Sequence, residues 1–279
     1  MLKKLMHYID ELILGCRLGR EFYKILNSPD IYQNEKYVDG EKWNIDIPED
    51  CGINKIGAYS FAYYGGLNSV RIPKGVTMLG SSCFTNCTNL TDIFLPDSII
   101  EIGYRAFYKC EHLNNVMCSN NLTTIGNQAF RDCSNLETIT LNEKLVSIGD
   151  SAFTNCKLLD NISLPDSLET IGKNAFQLCS NLTSVTLPHN IITLNDAAFY
   201  GCSKLKSVSL PEGLISIGAG SFNGCAALTE ITIPSTVNSI ATSAFVACRY
   251  IKEILINAPA DSIAGAPWGA TNATVIWNG

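Results

Sequence analysis

The sequence predicts a solenoid, in which short coils of the chain stack on one another and each coil contacts only its neighbours. Three periodic features of the 279 residues predict it. A phenylalanine, a short apolar strand pattern and, in most repeats, a cysteine recur at intervals of 23 residues. The nine phenylalanines at this interval are Phe61, Phe84, Phe107, Phe130, Phe153, Phe176, Phe199, Phe222 and Phe245.

Each coil contains one main strand. Residues 171–194 serve as an example, IGKNAFQLCSNLTSVTLPHNIITL, in which Leu182, Val185 and Leu187 have the L-x-x-L-x-L spacing of a leucine-rich repeat strand. Val185 and Leu187 alternate with polar residues, as in a strand with one buried face. Pro188 lacks an N–H group and therefore ends the ladder. The predicted fold class is a leucine-rich repeat solenoid that is mainly β.

The remainder of the coil contains a minor strand and two corners. The apolar residues Leu168 and Ile171 predict the minor strand, and Gly172 follows it. Because glycine permits a positive φ, we expect a sharp corner there. Residues 175–179 are too few for a full helix and predict one helical or 3₁₀ turn that points Phe176 and Cys179 inward. The chain has about nine full coils of this kind.

The chain has twelve cysteines, most of which belong to the repeat. Eight of them follow the repeat phenylalanine by three residues: Cys87, Cys110, Cys133, Cys156, Cys179, Cys202, Cys225 and Cys248. At this spacing no C-x-x-C zinc motif occurs. We expect a column of buried, unpaired thiols that act as small apolar side chains. Cys83 and Cys118 stand at other core positions, whereas Cys16 and Cys51 lie outside the array.

The repeat array spans residues 43–257, and the segments on either side of it differ from its coils. Residues 1–42 contain apolar residues at helical spacing and predict one or two helices. These helices either cap the first coil or form an amphipathic docking segment through which the chain self-associates as a homo-oligomer. Residues 258–279 predict a C-terminal cap, with Trp268 as a plug and residues 274–277 as a last strand.

Charge and motifs argue against several classes of function. The net charge is −6 and no basic block is present, so nucleic acid is not an expected partner. No uncharged apolar run reaches the roughly 18 residues of a membrane span. The histidines, His7, His112 and His189, stand in no metal or triad spacing, and no glycine-rich phosphate loop is present. We therefore expect no enzyme activity, no catalytic or metal-binding residues and no cofactor.

Function is then expected on the outward positions of the strands, which are mostly small and polar. Phe94 and Met117 depart from this rule on adjacent coils, beside Arg71, Asp92 and Asn115. An exposed aromatic ring flanked by arginine is typical of a binding hot spot, so these five residues are the candidate partner-binding patch. The alternative is that they have drifted near an N-terminal cap that covers them.

A second departure lies on the minor strand, where apolar residues stand at outward positions. These residues are Met78, Ile100, Val146, Ile192 and Ile215. Such an apolar stripe could be an interface. It could equally reflect the β-propensity of a two-residue strand.

The repeat unit I-G-x-x-A-F-x-x-C-x-x-L-x-x-I-x-L-P closely resembles the BspA-like, or treponemal-type, leucine-rich repeat. The segments IGNQAFRDCSNLETITL (125–141) and IGDSAFTNCKLLDNISLP (148–165) carry the resemblance, which extends over residues 43–257. It implies a right-handed solenoid used for binding, as in bacterial surface proteins that attach to host or matrix proteins or to other cells. The expected partner is a protein or a glycan. Residues 258–279 are also similar to the ends of repeat proteins from gut Firmicutes and prophage tail regions.

The expected function is therefore adhesion or partner recognition by a bacterial surface or phage-tail-associated protein. The alternative is a self-associating structural component. His7, Asp10 and Glu11 interrupt the first apolar run, so no signal peptide is predicted. This pattern favours a cytoplasmic or phage-associated location over classical secretion.

Overall fold

The strands of the protein form parallel ladders along a solenoid. The computed structural model describes residues 43–49 and 52–279. Its strands, in chain order, are β1 Trp43–Asp46, β2 Lys55–Ile56, β3 Leu67–Arg71, β4 Met78–Leu79, β5 Asp92–Phe94, β6 Glu101–Ile102, β7 Asn115–Met117, β8 Thr124–Ile125, β9 Thr138–Thr140, β10 Ser147–Ile148, β11 Thr170–Ile171, β12 Ser184–Thr186, β13 Thr193–Leu194, β14 Ser207–Ser209, β15 Ser216–Ile217, β16 Glu230–Ile233, β17 Ser239–Ile240, β18 Glu253–Ile256 and β19 Thr274–Trp277.

The strands separate into two sides of the coil, as the sequence predicted. The main strands form sheets in the orders β1-β3-β5-β7-β9, β12-β14 and β16-β18-β19. The minor strands form sheets in the orders β2-β4-β6-β8-β10-β11 and β13-β15-β17. Neighbours pair in parallel at the repeat interval, as in Val70 with Ile93 and Val116 with Ile139. The mainly β leucine-rich repeat solenoid is thus confirmed.

The segment around each phenylalanine is not the helical or 3₁₀ turn that the sequence predicted. Ser82 and Asn86, two residues before and after Phe84, have positive φ values of 56° and 57°. Their N–H groups and that of Phe84 donate to carbonyls of the next coil at 2.7–2.8 Å. Cys87 N–H instead donates to the Phe84 carbonyl at 3.2 Å. With left-handed residues at these positions, every second N–H group of the segment points to the next coil. Among the described residues no helix forms.

The repeat glycines also have a different role from the predicted corner with positive φ. Gly80 and Gly126 are not among the described residues with positive φ. A Cβ atom on Gly80 would lie 2.7 Å from the carbonyl oxygen of Ile56. On Gly126 it would lie 2.8 Å from the carbonyl carbon of Gly103. Glycine is therefore favoured at Gly80 and Gly126 because consecutive coils approach closely at this corner.

Two columns of side chains fill the interior of the stack. The nine repeat phenylalanine rings are stacked, with centroids 5.1–5.9 Å apart and planes within 10° of parallel. Beside them, each of the eight repeat thiols donates a hydrogen bond of 2.9–3.2 Å to the phenylalanine carbonyl of the preceding coil. Cysteine is thus more than a small apolar side chain here, because it also links one coil to the next.

The C-terminal residues add a tenth turn to the nine phenylalanine coils. Trp268 stands 23 residues after Phe245, is fully buried, and accepts the Phe245 N–H at its carbonyl at 3.0 Å. Strand β19 pairs with β18 and is the predicted last strand. The predicted helical segment 1–42 lies outside the described residues, as do Cys16 and Cys51. The division of the chain into 1–42, 43–257 and 258–279 remains a prediction.

Candidate recognition surfaces

The strand-face patch, consisting of Arg71, Asp92, Phe94, Asn115 and Met117, lies on three adjacent main strands. Strands β5 and β7 both alternate exposed, buried, exposed, which turns the outer residues of each to solvent. Strand register pairs Arg71 with Phe94 and Asp92 with Asn115. The five residues predicted from sequence are therefore neighbours on one surface.

Phe94 and Met117 provide the apolar part of this patch. They are 48% and 75% exposed, well above the strand residues that point inward. The Arg71 guanidinium carbon lies 4.7 Å from the centroid of the Phe94 ring, and Arg71 Nε lies 3.6 Å from Asp46 Oδ2. At an exposed site, a cation–π contact contributes about 0.5–1 kcal/mol. Asp46 and Phe94 thus both contact the Arg71 side chain and favour its position over the ring.

The polar part of the strand-face patch is ordered by short hydrogen bonds. Thr91 Oγ1 donates to Asp92 Oδ2 at 2.7 Å, and Thr138 Oγ1 donates to Asn115 Oδ1 at 2.6 Å. The Asn115 amide also donates to Asn114 Oδ1 at 3.2 Å. These bonds restrict side-chain rotation, which lowers the entropic cost of ordering the patch when a partner binds.

The apolar stripe on the minor strands is exposed but interrupted. Its members, Met78, Ile100, Val146, Ile192 and Ile215, are 36–59% exposed. Ile215 N–H donates to the Ile192 carbonyl at 2.8 Å, so these two side chains stand on adjacent coils. Val146 instead stands between Thr123 and Glu169, which are its hydrogen-bonded neighbours in the ladder. The stripe is thus divided into short apolar segments, and its role as an interface remains a prediction.

A third surface, which the sequence reasoning missed, lies on the turn segments of the Phe61 and Phe107 coils. This turn-face cluster consists of Tyr59, Tyr63, Tyr104, Arg105, Tyr108 and Lys109. The Arg105 guanidinium carbon lies 4.9 Å from the Tyr104 centroid and 5.0 Å from the Tyr108 centroid. Lys109 Nζ lies 5.6 Å from the Tyr108 centroid. The signal was present in the sequence, because the 23-residue interval also identifies departures in the turn columns.

The buried thiols are chemically quiet. Burial raises the pKa of Cys179 and Cys248 to about 12, and raises the pKa of Cys110 and Cys156 well above its ordinary value. Because the thiolate is the nucleophile and the metal ligand, these residues are poorly suited to either role. All ten cysteines in the described part of the chain are unpaired and buried.

The remaining polar groups form bridges between coils. His112 Nδ1 lies 2.7 Å from the Thr88 carbonyl oxygen, and His189 Nδ1 lies 3.6 Å from Asp166 Oδ1. The third histidine, His7, lies outside the described residues. Within residues 43–49 and 52–279, no group of three His, Cys, Asp or Glu residues could hold a metal ion. The same residues contain no apolar helix of membrane-spanning length.

Comparison with known proteins points to one repeat family. The profile of the BspA-type leucine-rich repeat region matches residues 54–183 and 147–267, with six copies. A T. pallidum leucine-rich repeat protein is 30% identical, with 68% of this chain and 79% of that chain covered and a TM-score of 0.49. A leucine-rich cell surface protein from Faecalibacterium prausnitzii A2-165 is 25% identical, with 85% and 79% covered and a TM-score of 0.50. A search of curated proteins found no match.

Proposed function

Because the chain belongs to the BspA-type leucine-rich repeat family, we propose that it is a non-catalytic module that binds another macromolecule. Its role would be adhesion or partner recognition by a bacterial surface or phage-tail-associated protein. The similarity to the F. prausnitzii cell surface protein supports a surface role. Repeat solenoids commonly bind partners over their extended surfaces, and this supports binding as the function.

The observation that carries the proposal is the strand-face patch. In the same outward column, other coils present the exposed, small residues Thr140, Ser163 and Thr186. The scaffold therefore does not need a large apolar side chain at the positions of Phe94 and Met117. Burying an exposed side chain of this kind against a partner contributes about 1.5–3 kcal/mol, so these two residues can anchor an interface.

The chemistry of the patch favours a protein over a glycan as its partner. Aromatic residues, Met and Arg are enriched in the cores of protein–protein interfaces, and Phe94, Met117 and Arg71 supply one of each. Asp92 and Asn115 would form the polar rim around this apolar centre. The patch therefore has the composition of a small protein-binding hot spot.

The test uses the intact chain on a protein array and a glycan array. In one variant, Phe94→Ser and Met117→Thr introduce residue types found in the same column, so the coil should fold unchanged. A control variant carries Thr186→Ser, a similarly exposed change outside the patch. Proteins bound by the wild type and the control should be lost with the double variant. If the double variant keeps every bound protein, or loses only glycans, the proposed role of the patch is wrong.

A second candidate function is self-association as a structural or assembly component. The adjacent, exposed Ile192 and Ile215 support it on the minor-strand side, and the predicted N-terminal helix supports it from sequence. Light scattering at several concentrations tests this function. Self-association should weaken when Ile192→Thr and Ile215→Thr are introduced, since Thr123 occupies the same column. A chain that remains monomeric at every concentration would exclude assembly.

A further inference from the structure

The turn-face cluster is not required by the repeat. Its left-handed positions, two residues before and after each phenylalanine, hold Tyr59 and Tyr63 in one coil and Arg105 and Lys109 in another. In later coils the equivalent positions hold the small residues Gly201, Gly220 and Gly224. Because the same backbone is formed with glycine, it does not need the large side chains of Tyr63, Arg105 and Lys109.

The backbone conformation makes these large residues costly. Tyr59, Tyr63, Arg105 and Lys109 have φ values of 60°, 66°, 53° and 59°. A non-glycine residue in the left-handed region costs roughly 1–2 kcal/mol. Other coils adopt the same conformation with residues such as Ser82, Asn86 and Leu178, so the conformation belongs to the repeat. What distinguishes these two coils is the size and charge of the side chains at those positions.

The cluster combines aromatic surface with two positively charged side chains. Tyr59, Tyr63 and Tyr104 are 47%, 66% and 41% exposed. Arg105 Nε donates to Gln128 Oε1 at 2.7 Å, so the guanidinium is held between its two tyrosine rings. Within the described part of the chain, neither Arg105 nor Lys109 forms an ion pair with a carboxylate. The positive charges are therefore available to an external carboxylate.

The arrangement of the cluster favours an extended segment as its occupant. The Phe61 and Phe107 coils carry the large side chains, and the Phe84 coil between them carries the smaller Ser82 and Asn86. Phenylalanine centroids in these consecutive coils are 5.1 and 5.3 Å apart. The large side chains thus stand on coils about 10 Å apart, with the smaller side chains of one coil between them. This separation is about twice the spacing of paired strands and leaves room for one extended segment.

From these observations, we propose that the turn-face cluster is a second binding surface, which takes an acidic, extended segment of a partner protein. Tyrosine rings would pack on its side chains, and Arg105 and Lys109 would pair with its carboxylates. Charge complementarity selects the acidic class, because the cluster offers two cations, Arg105 and Lys109, that form no ion pair with a described carboxylate. This surface is separate from the strand-face patch and does not depend on it.

The test is a selection of random displayed peptides on the intact wild-type chain, followed by titration of individual synthetic peptides. The cluster variant carries Tyr59→Ser, Tyr63→Asn, Arg105→Ser and Lys109→Asn, all residue types found in the same columns at positive φ. A charge control, Lys157→Ser with Lys206→Thr, removes two positive charges elsewhere. A site control carries Phe94→Ser and Met117→Thr.

We expect the wild type to select acidic peptides whose Kd rises at least tenfold with the cluster variant and rises with salt. The same Kd should change less than about twofold with either control, as changes remote from a hot spot do. The proposal is overturned if no selected peptide depends on the cluster, or if the dependent peptides are neutral or basic. The wild type and the cluster variant are also applied to the glycan array, and cluster-dependent binding to anionic glycans alone would overturn the proposal as well. The site control changes only the strand-face patch. A negative result for the turn-face cluster therefore does not affect the proposal for the strand-face patch.

Discussion

The buried thiol column should make the protein unusually sensitive to alkali. Burial raises the pKa of Cys179 and Cys248 to about 12, and raises that of the six other column thiols above the ordinary 9.0. The unfolded chain titrates near the ordinary value. Above it, the unfolded chain binds fewer protons than the native protein, so the free energy of unfolding falls as the pH rises.

The size of this effect follows from the number of thiols. Between about pH 8 and about pH 10, each thiol that stays protonated only in the native state lowers the free energy of unfolding by about 1.4 kcal/mol. For the eight column thiols the loss is about 11 kcal/mol. This loss is comparable with the total unfolding free energy of about 5–15 kcal/mol that is typical of a protein domain.

The assay is urea unfolding followed by circular dichroism at these two pH values. The parent carries Cys16→Ser and Cys51→Ser, so that every remaining thiol belongs to the described residues. Adding Cys156→Ala and Cys179→Ala should reduce the alkaline loss by about 3 kcal/mol, because two titrating groups are removed. Tyrosine and lysine titration is common to both proteins and cancels in the comparison.

Thiolate absorbance provides an independent measurement on the same samples. It should appear together with loss of the circular dichroism signal, and not before it. Thiolate forming near pH 9.0 in a protein that is still folded would refute the reasoning, because the native pKa values would then be ordinary. An equal alkaline loss in the parent and the alanine variant would refute it as well.

Three further predictions concern the scaffold. Phe153→Ala should lower the free energy of unfolding by about 3–5 kcal/mol in urea, because it removes a buried ring that stacks on Phe130 and Phe176. Gly126→Ala should cost about 1–3 kcal/mol in the same assay, whereas Ala241→Gly in the same column should cost less than about 1 kcal/mol. Trp268→Ala should accelerate hydrogen exchange of β19 amides far more than exchange at β7, because the end coil loses its buried plug.

The scaffold was predictable because the same residue types recur at the same positions of each coil. Phe176 and Cys179 identify the inward positions, and Val185 and Leu187 identify the strand. The conformation of the turn was missed because only some coils mark its left-handed positions with glycine or asparagine, as Gly201 and Asn86 do, whereas Tyr59 and Arg105 do not. The role of Gly126 was missed for another reason, because its constraint comes from the neighbouring coil and not from its own turn.

The surfaces were predictable to different degrees. The alternation of buried and exposed residues along a strand predicts which residues face solvent. Phe94 and Met117 could therefore be recognised as large apolar residues in an outward column that is mostly small and polar. The sequence predicted a helical turn around each phenylalanine, but the segment forms consecutive non-helical turns. The two conformations point different residues toward solvent. Tyr63 and Lys109 share a column of the 23-residue repeat, but a helical turn does not group them with Tyr59 and Arg105. The left-handed positions two residues before and after the phenylalanines do.

Both proposed surfaces lie on the first coils of the described array, between Tyr59 and Met117. Each coil of a solenoid is stabilised mainly by its neighbours, so surface changes in one column have local consequences for stability. The strand-face and turn-face variants can therefore be combined without loss of the fold. If one partner engages both surfaces, the combined loss of binding will differ from the product of the separate losses, since the second contact is then intramolecular. If two partners bind, each loss will remain independent, and the chain is then a connector between them.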